Sequence, residues 1–176
     1  MANRVTVGTA VAGAFQSGGM ADMWLGVPIR SNLSGSEQDT GVDLPANAMV
    51  VDVLVDVDVA EATGSVKTIN VGILSSESGG DADGFIAGLS VATTGLKRPV
   101  AATATGSNET YLASTTRGAL LQTFLAGSDT AGDVGTLVDK FHLTSSITGK
   151  SISITSPNAF SEFRGTLIFH LLRWDG

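Results

Sequence analysis

The chain contains no cysteine, which removes disulfides, thiolate nucleophiles and thiolate-bound zinc together. Positive charge is sparse: 10 Lys and Arg stand against 17 Asp and Glu, a formal charge of −7. The basic residues form no cluster, so the footprint by which proteins neutralise nucleic-acid phosphates is missing. Only two histidines occur, His142 and His170, each within a segment that reads as a strand. No G-x-S-x-G stretch sets a serine on a strained turn, which argues against Ser-His-Asp hydrolysis. Aromatics make up 6%, with one Tyr and two Trp, Trp24 and Trp174, near opposite ends of the chain; this is few for the aromatic platforms of carbohydrate sites. No stretch approaches the roughly 20 apolar residues of a membrane span. The start, MANRVTVGTAVAGAFQSGG, is interrupted by Gly and polar residues before it builds a signal-peptide core. A soluble protein is expected, with no nucleic-acid or membrane partner.

What is present points to β structure. Of 176 residues, 43% are apolar and 22 are Gly without a three-residue period, a composition for one folded domain with its own core. Residues 49–60, MVVDVLVDVDVA, alternate strictly. Val51, Val53, Val55, Val57 and Val59 form one face and Asp52, Leu54, Asp56 and Asp58 the other, which is the period of a half-buried strand. Three carboxylates on one strand face admit a metal, or else a solvated face that blocks edge pairing. Residues 66–74 read as a second strand, joined to the first by the turn-like EATGS and expected beside it as an antiparallel neighbour. FIAGLSVAT from Phe85 reads as a third, with Phe85, Ala87, Leu89 and Val91 alternating. Further strands are expected at 100–105, 109–114, 136–143, 150–155 and 163–172, with 118–127 fitting helix and strand about equally. In the last strand Phe163, Leu167, Phe169 and Leu171 are expected inward, and Arg164, Thr166 and His170 outward.

Many short strands, polar turns and almost no helix signal predict an all-β fold: an antiparallel β-sandwich, jelly-roll-like, with an extended N-terminal segment. Residues 1–40 are Gly- and Ser-rich and lack clean periodicity; they are expected as an arm or an edge segment, with 41–176 as the sandwich domain. Chemical motifs are weak. Gly149-Lys150-Ser151 echoes a phosphate loop, but the required earlier glycine is replaced by Thr144 and a strand follows instead of a helix. Asp81-x-Asp83-Gly84 echoes a calcium loop, but its next ligand position is Phe85 and its twelfth is Ala92. A looser calcium site from Glu77, Asp81 and Asp83 stays open, beside a plain polar connection delivering the chain into the next strand. Paired carboxylates for glycoside hydrolysis also stay open, because their separation is invisible in sequence. No catalytic, cofactor-binding or metal residue is assigned.

The stretch Leu44–Gly95, LPANAMVVDVLVDVDVAEATGSVKTINVGILSSESGGDADGFIAGLSVATTG, resembles a segment of small structural proteins of tailed bacteriophages. The features shared are a Leu-Pro-x-x-Ala lead-in to a valine-rich strand, a T-I-x-V-G strand, a Gly/Ser/Asp loop with D-x-D-G-F, and a further strand. The resemblance implies a non-enzymatic virion component of the decoration or cement type, made in the host cytoplasm and bound to the major capsid protein on the capsid surface. It also implies a β-rich subunit that self-associates as a homotrimer. A head-fibre, tail or receptor-binding part is the alternative within virions, and a carbohydrate-binding β-sandwich the alternative outside them.

Overall fold

The computed structural model describes residues 3–4, 11–17, 20–45, 48–99, 104–105, 110–111, 118, 120 and 149–174. Among these every regular element is a strand: β1 (Asn3–Arg4), β2 (Val11–Ser17), β3 (Met20–Ile29), β4 (Leu33–Ser34), β5 (Gln38–Asp43), β6 (Ala48–Val59), β7 (Thr68–Ile73), β8 (Asp81–Ser90), β9 (Gly95–Lys97), β10 (Ala104–Thr105), β11 (Thr110–Tyr111), β12 (Ser151–Thr155), β13 (Ala159–Phe160) and β14 (Arg164–Trp174). Two five-stranded sheets result, sheet I in the order β1-β5-β12-β7-β8 and sheet II in the order β2-β3-β14-β6-β9. Pairing is antiparallel except where β1 runs parallel to β5. The short pairs β4–β13 and β10–β11 stand apart from both sheets.

The sheets pack face to face because each presents an apolar side. Sheet II contributes Met23, Leu25, Val27 and Ile29 from β3, Val53, Val55 and Val57 from β6, and Leu167, Phe169 and Leu171 from β14. Sheet I answers with Ile69, Val71 and Ile73, Phe85, Ile86 and Leu89, and Ile152 and Ile154. Phe85 meets Phe169 across the layer edge to face, with ring centroids 5.5 Å apart and planes at 84°, the arrangement that aromatic quadrupoles favour. A fully buried side chain of this kind, such as Phe85, Phe169 or Leu167, stabilises the fold by about 1.5–3 kcal/mol relative to exposure. The all-β antiparallel sandwich read from the sequence is the observed architecture.

Several finer expectations are corrected. β6 and β7 are not neighbours: β6 lies between β14 and β9, and β7 between β12 and β8, so EATGS crosses from one sheet to the other. The expected boundary at residue 40 does not separate an arm from a core, because β3 is an interior strand carrying four core side chains and β5 pairs with β12. The valine face of β6 is interrupted by bulges. His170 pairs with Asp52 but Leu171 with Val50, and Gly165 pairs with Val57 but Arg164 with Val59. One extra residue at each step turns Val51 out of the core and leaves Val59 45% exposed. β8 shifts similarly between Ile86 and Leu89, with Gly88 at a φ of 77°, so Ile86 takes the core position expected for Ala87. The segments expected at 136–143 and most of 118–127 lie outside the described residues, as does His142.

Candidate functional site

The outer face of sheet II carries the densest set of functional side chains among the described residues. On β3 the alternation that buries Met23, Leu25, Val27 and Ile29 turns Asp22, Trp24, Gly26 and Pro28 outward. On β14 the same alternation presents Thr166, Ile168, His170 and Leu172. Cross-strand register places Gly13, Trp24, His170 and Asp52 in one row over β2, β3, β14 and β6. Trp24 and His170 stack with ring centroids 4.3 Å apart and planes 7° from parallel. His170 Nε2–H donates to Asp22 Oδ1 at 2.5 Å, which ties the stack to a carboxylate whose side chain is 48% exposed. Trp24 itself is 40% exposed. At the end of the row Asp52 is buried beneath Arg98, whose Nε donates to Asp52 Oδ2 at 2.7 Å while Nη2 donates to the same oxygen. This pairing holds the Arg98 guanidinium above its ordinary pKa.

Two of the three carboxylates on the acidic face of β6 are therefore held by cations. Asp52 is taken by Arg98, and Asp58 by Arg30 Nη1 at 2.6 Å. Protection of a sheet edge is not its role, since β6 is an interior strand. Glu77, Asp81 and Asp83 are not gathered into a cluster: among the described residues no three acidic or histidine side chains are grouped so as to hold an ion. Glu77 instead accepts from Ser151 N at 3.3 Å, and Asp81 Oδ1 from Asp83 N at 3.4 Å. Burial, then the neighbouring Asp83, pushes the Asp81 carboxyl above its usual range. Both aspartates stand within β8, so the polar connection ends at Gly80. At Gly149-Lys150-Ser151 the backbone pairs with Leu44, by Leu44 N to Lys150 O at 3.0 Å and Gly149 N to Leu44 O at 2.8 Å, and β12 follows. That is the strand context expected, and it is unlike a phosphate loop.

The glycines of the T-I-x-V-G and D-x-D-G-F motifs have a steric explanation. A Cβ on Gly72 would lie 1.9 Å from Asp81 O, because the start of β8 folds across it. Gly84 faces Leu120, and Gly118 faces Asp83 O. There Gly118 and Leu120 lie beside β8, with Gly118 N donating to Phe85 O at 3.0 Å and Leu120 N to Gly84 O at 2.7 Å. Gly84 stands within β8, and the Leu120 side chain occupies the space that a Cβ there would take.

A structural carboxylate went unnoticed in the sequence. Glu61, in the crossing loop between the sheets, has no exposed surface. Its Oε2 accepts from Glu162 N and Phe163 N, each at 3.1 Å, and its Oε1 from Thr63 N at 3.1 Å and from the Thr63 hydroxyl. Glu162 returns the contact by accepting from Ala62 N at 3.3 Å. Burial alone pushes the Glu61 carboxyl up, but the four hydrogen bonds outweigh it and hold the pKa below the ordinary glutamate range. Only the E-x-T spacing gave a local signal for this clamp; the partner a hundred residues away in the chain gave none. Compared with family models, curated proteins and solved structures, the chain has no match.

Proposed function

We propose that the protein is a non-enzymatic structural component of a virion, a capsid decoration protein that binds the outer face of the capsid lattice and self-associates as a trimer. The observation that supports this most is the layout of the stretch carrying the phage resemblance. Leu44–Gly95 supplies β6, β7 and β8 and the first residue of β9, so the resembling segment contributes two adjoining strands, one of them outermost, at one side of sheet I, and β6 with the start of the outermost β9 in sheet II. The N-terminal strands fit the same reading: β1 is added at the margin of sheet I and β2 at the margin of sheet II. Strand addition at a sheet edge by main-chain hydrogen bonds is also how such a subunit would grip a neighbour. A protein that binds only the assembled shell stabilises that shell by mass action.

The test is the copy number of this chain relative to the major capsid protein in purified particles. A ratio near one, or one trimer at each local threefold position, is expected. A handful of copies that co-purify with tails would replace decoration with a tail or receptor-binding role.

A further inference from the structure

The outer face of an antiparallel sheet is ordinarily its polar one. Sheet I follows that rule. With Val71, Ile152 and Ile154 in the core, alternation turns Asn70, Ser151 and Thr155 outward, and β5, which buries Gln38 and Thr40, turns out Asp39 and Asp43. Among the described residues no Lys or Arg pairs with Asp39 or Asp43. Sheet II departs from the rule. Trp24, Pro28, Leu54, Leu96, Ile168 and Leu172 stand on its outer side, each half-buried or exposed, and Leu96 is 65% exposed. The register joins them into one surface. Leu54 pairs with Ile168, Leu96 lies in the row of Asp56, Thr166 and Pro28, and Leu172 is the next outward residue of β14 beyond His170. The carboxylates of this side are largely engaged within the chain. Asp52 and Asp58 are each paired with an arginine and Asp22 is bonded by His170, which leaves Asp56. A paired, hydrogen-bonded charge loses far less on leaving water than a lone one.

We propose that copies of this chain meet through the outer face of sheet II, with β14 nearest the symmetry axis. This rests on the self-association put forward above and names its surface. Every copy carries a formal charge of −7. Approach through sheet I would set unpaired carboxylates against one another within the roughly 8 Å over which charges are felt in physiological salt. Approach through sheet II brings together side chains that are apolar or already paired, and apolar patches rimmed by polar groups mark contact surfaces. A basic partner would be drawn to Asp39 and Asp43 instead, and would leave Ile168 and Leu172 uncovered. In a closed ring every copy presents the same strip to the axis. β14 is the middle strand of sheet II, so Ile168 and Leu172 of each subunit converge there.

The test is the mass of the full-length protein in solution, by analytical ultracentrifugation over a range of concentrations. Three times the 17.9 kDa chain is expected. Leu54→Lys and Ile168→Lys should each raise the dissociation concentration about a hundredfold or more, as an uncompensated buried charge does, with the circular dichroism spectrum unchanged. The monomer accepts Leu54→Lys because Asp52 and Asp56 flank it on the outward side of β6. Should a lysine variant precipitate, Leu54→Thr and Ile168→Thr, which suit a strand, read the same change. Asp43→Lys on sheet I should leave the mass as it is, and dissociation by that variant instead overturns the proposal. A trimer that survives the sheet II variants overturns this surface and leaves self-association standing; a protein monomeric at every concentration overturns both. A monomeric protein whose attachment to particles is lost in Leu54→Lys would assign the face to the capsid protein, which overturns the proposal as well.

Discussion

Glu61 is a buried charge whose two carboxylate oxygens each accept two hydrogen bonds, and this makes it a sharp probe of the fold. Replacing it with Gln keeps the shape but sets an amide NH2 against backbone N–H groups. A cost of about 1–3 kcal/mol is expected at neutral pH, which for a chain of this size lowers the melting temperature by about 2–4 °C per kcal/mol. The folded-state pKa is lowered, so the stability Glu61 contributes is fully present above the ordinary glutamate range and drains away as pH falls through the folded value. Wild type and Glu61→Gln should therefore converge in acid, as thermal melts across pH will show. A gap that stays constant with pH would mean that shape rather than charge matters at this position. Trp24 and His170 illustrate the limit of residue-level reading: the alternation of the last strand put His170 outward, but nothing local paired it with a tryptophan nearly 150 residues earlier.

At the scale of elements, the strands were legible wherever alternation was clean, as in β6 and β14, and less so where glycine or proline interrupts. β3 is the instructive case. MWLGVPIR contains Gly26 and Pro28, which argue against an interior strand, yet β3 makes ten register pairs with β14. Among the described residues the ladder with β2 reaches Val11 and Gly26 and does not include Pro28, so none of its pairs asks for the N–H that proline lacks. Register shifts were equally hidden, since a bulge leaves no trace in an alternating pattern until the partner strand is known. The crossing of β8 over β7 yields a prediction: Gly72→Ala puts a methyl group 1.9 Å from Asp81 O, and backbone cannot move as a side-chain tip can. A destabilisation above about 3 kcal/mol, or failure to fold, is expected. Melting of the purified variant checks this, and a near-wild-type melting temperature would show that β8 can lift from β7 at little cost.

For the whole molecule, the two outermost N-terminal strands are the parts most separable from the core. Deleting residues 2–17 removes β1 and β2 and leaves β3 paired with β14. The shortened protein is expected to unfold cooperatively at a lower melting temperature while losing attachment to particles and self-association, by circular dichroism, light scattering and particle pull-down. Insoluble protein would instead show that the sandwich needs both edges, and full attachment would show that docking uses another surface.

The sequence by itself determined the fold class, because the period-two burial of valine, isoleucine and phenylalanine is a property of each strand alone. It also determined the acidic, cysteine-free surface and the failure of the phosphate and calcium motifs, which follow from residue types at fixed spacing. Only the tertiary structure decided which strands share a sheet, that Met23, Leu25, Val27 and Ile29 belong to the core, why Gly72 and Gly84 carry no side chain, and that Trp24, His170 and Asp22 stand together. Those facts depend on pairings between residues far apart in the chain, and a one-dimensional pattern holds no record of which distant strand lies alongside.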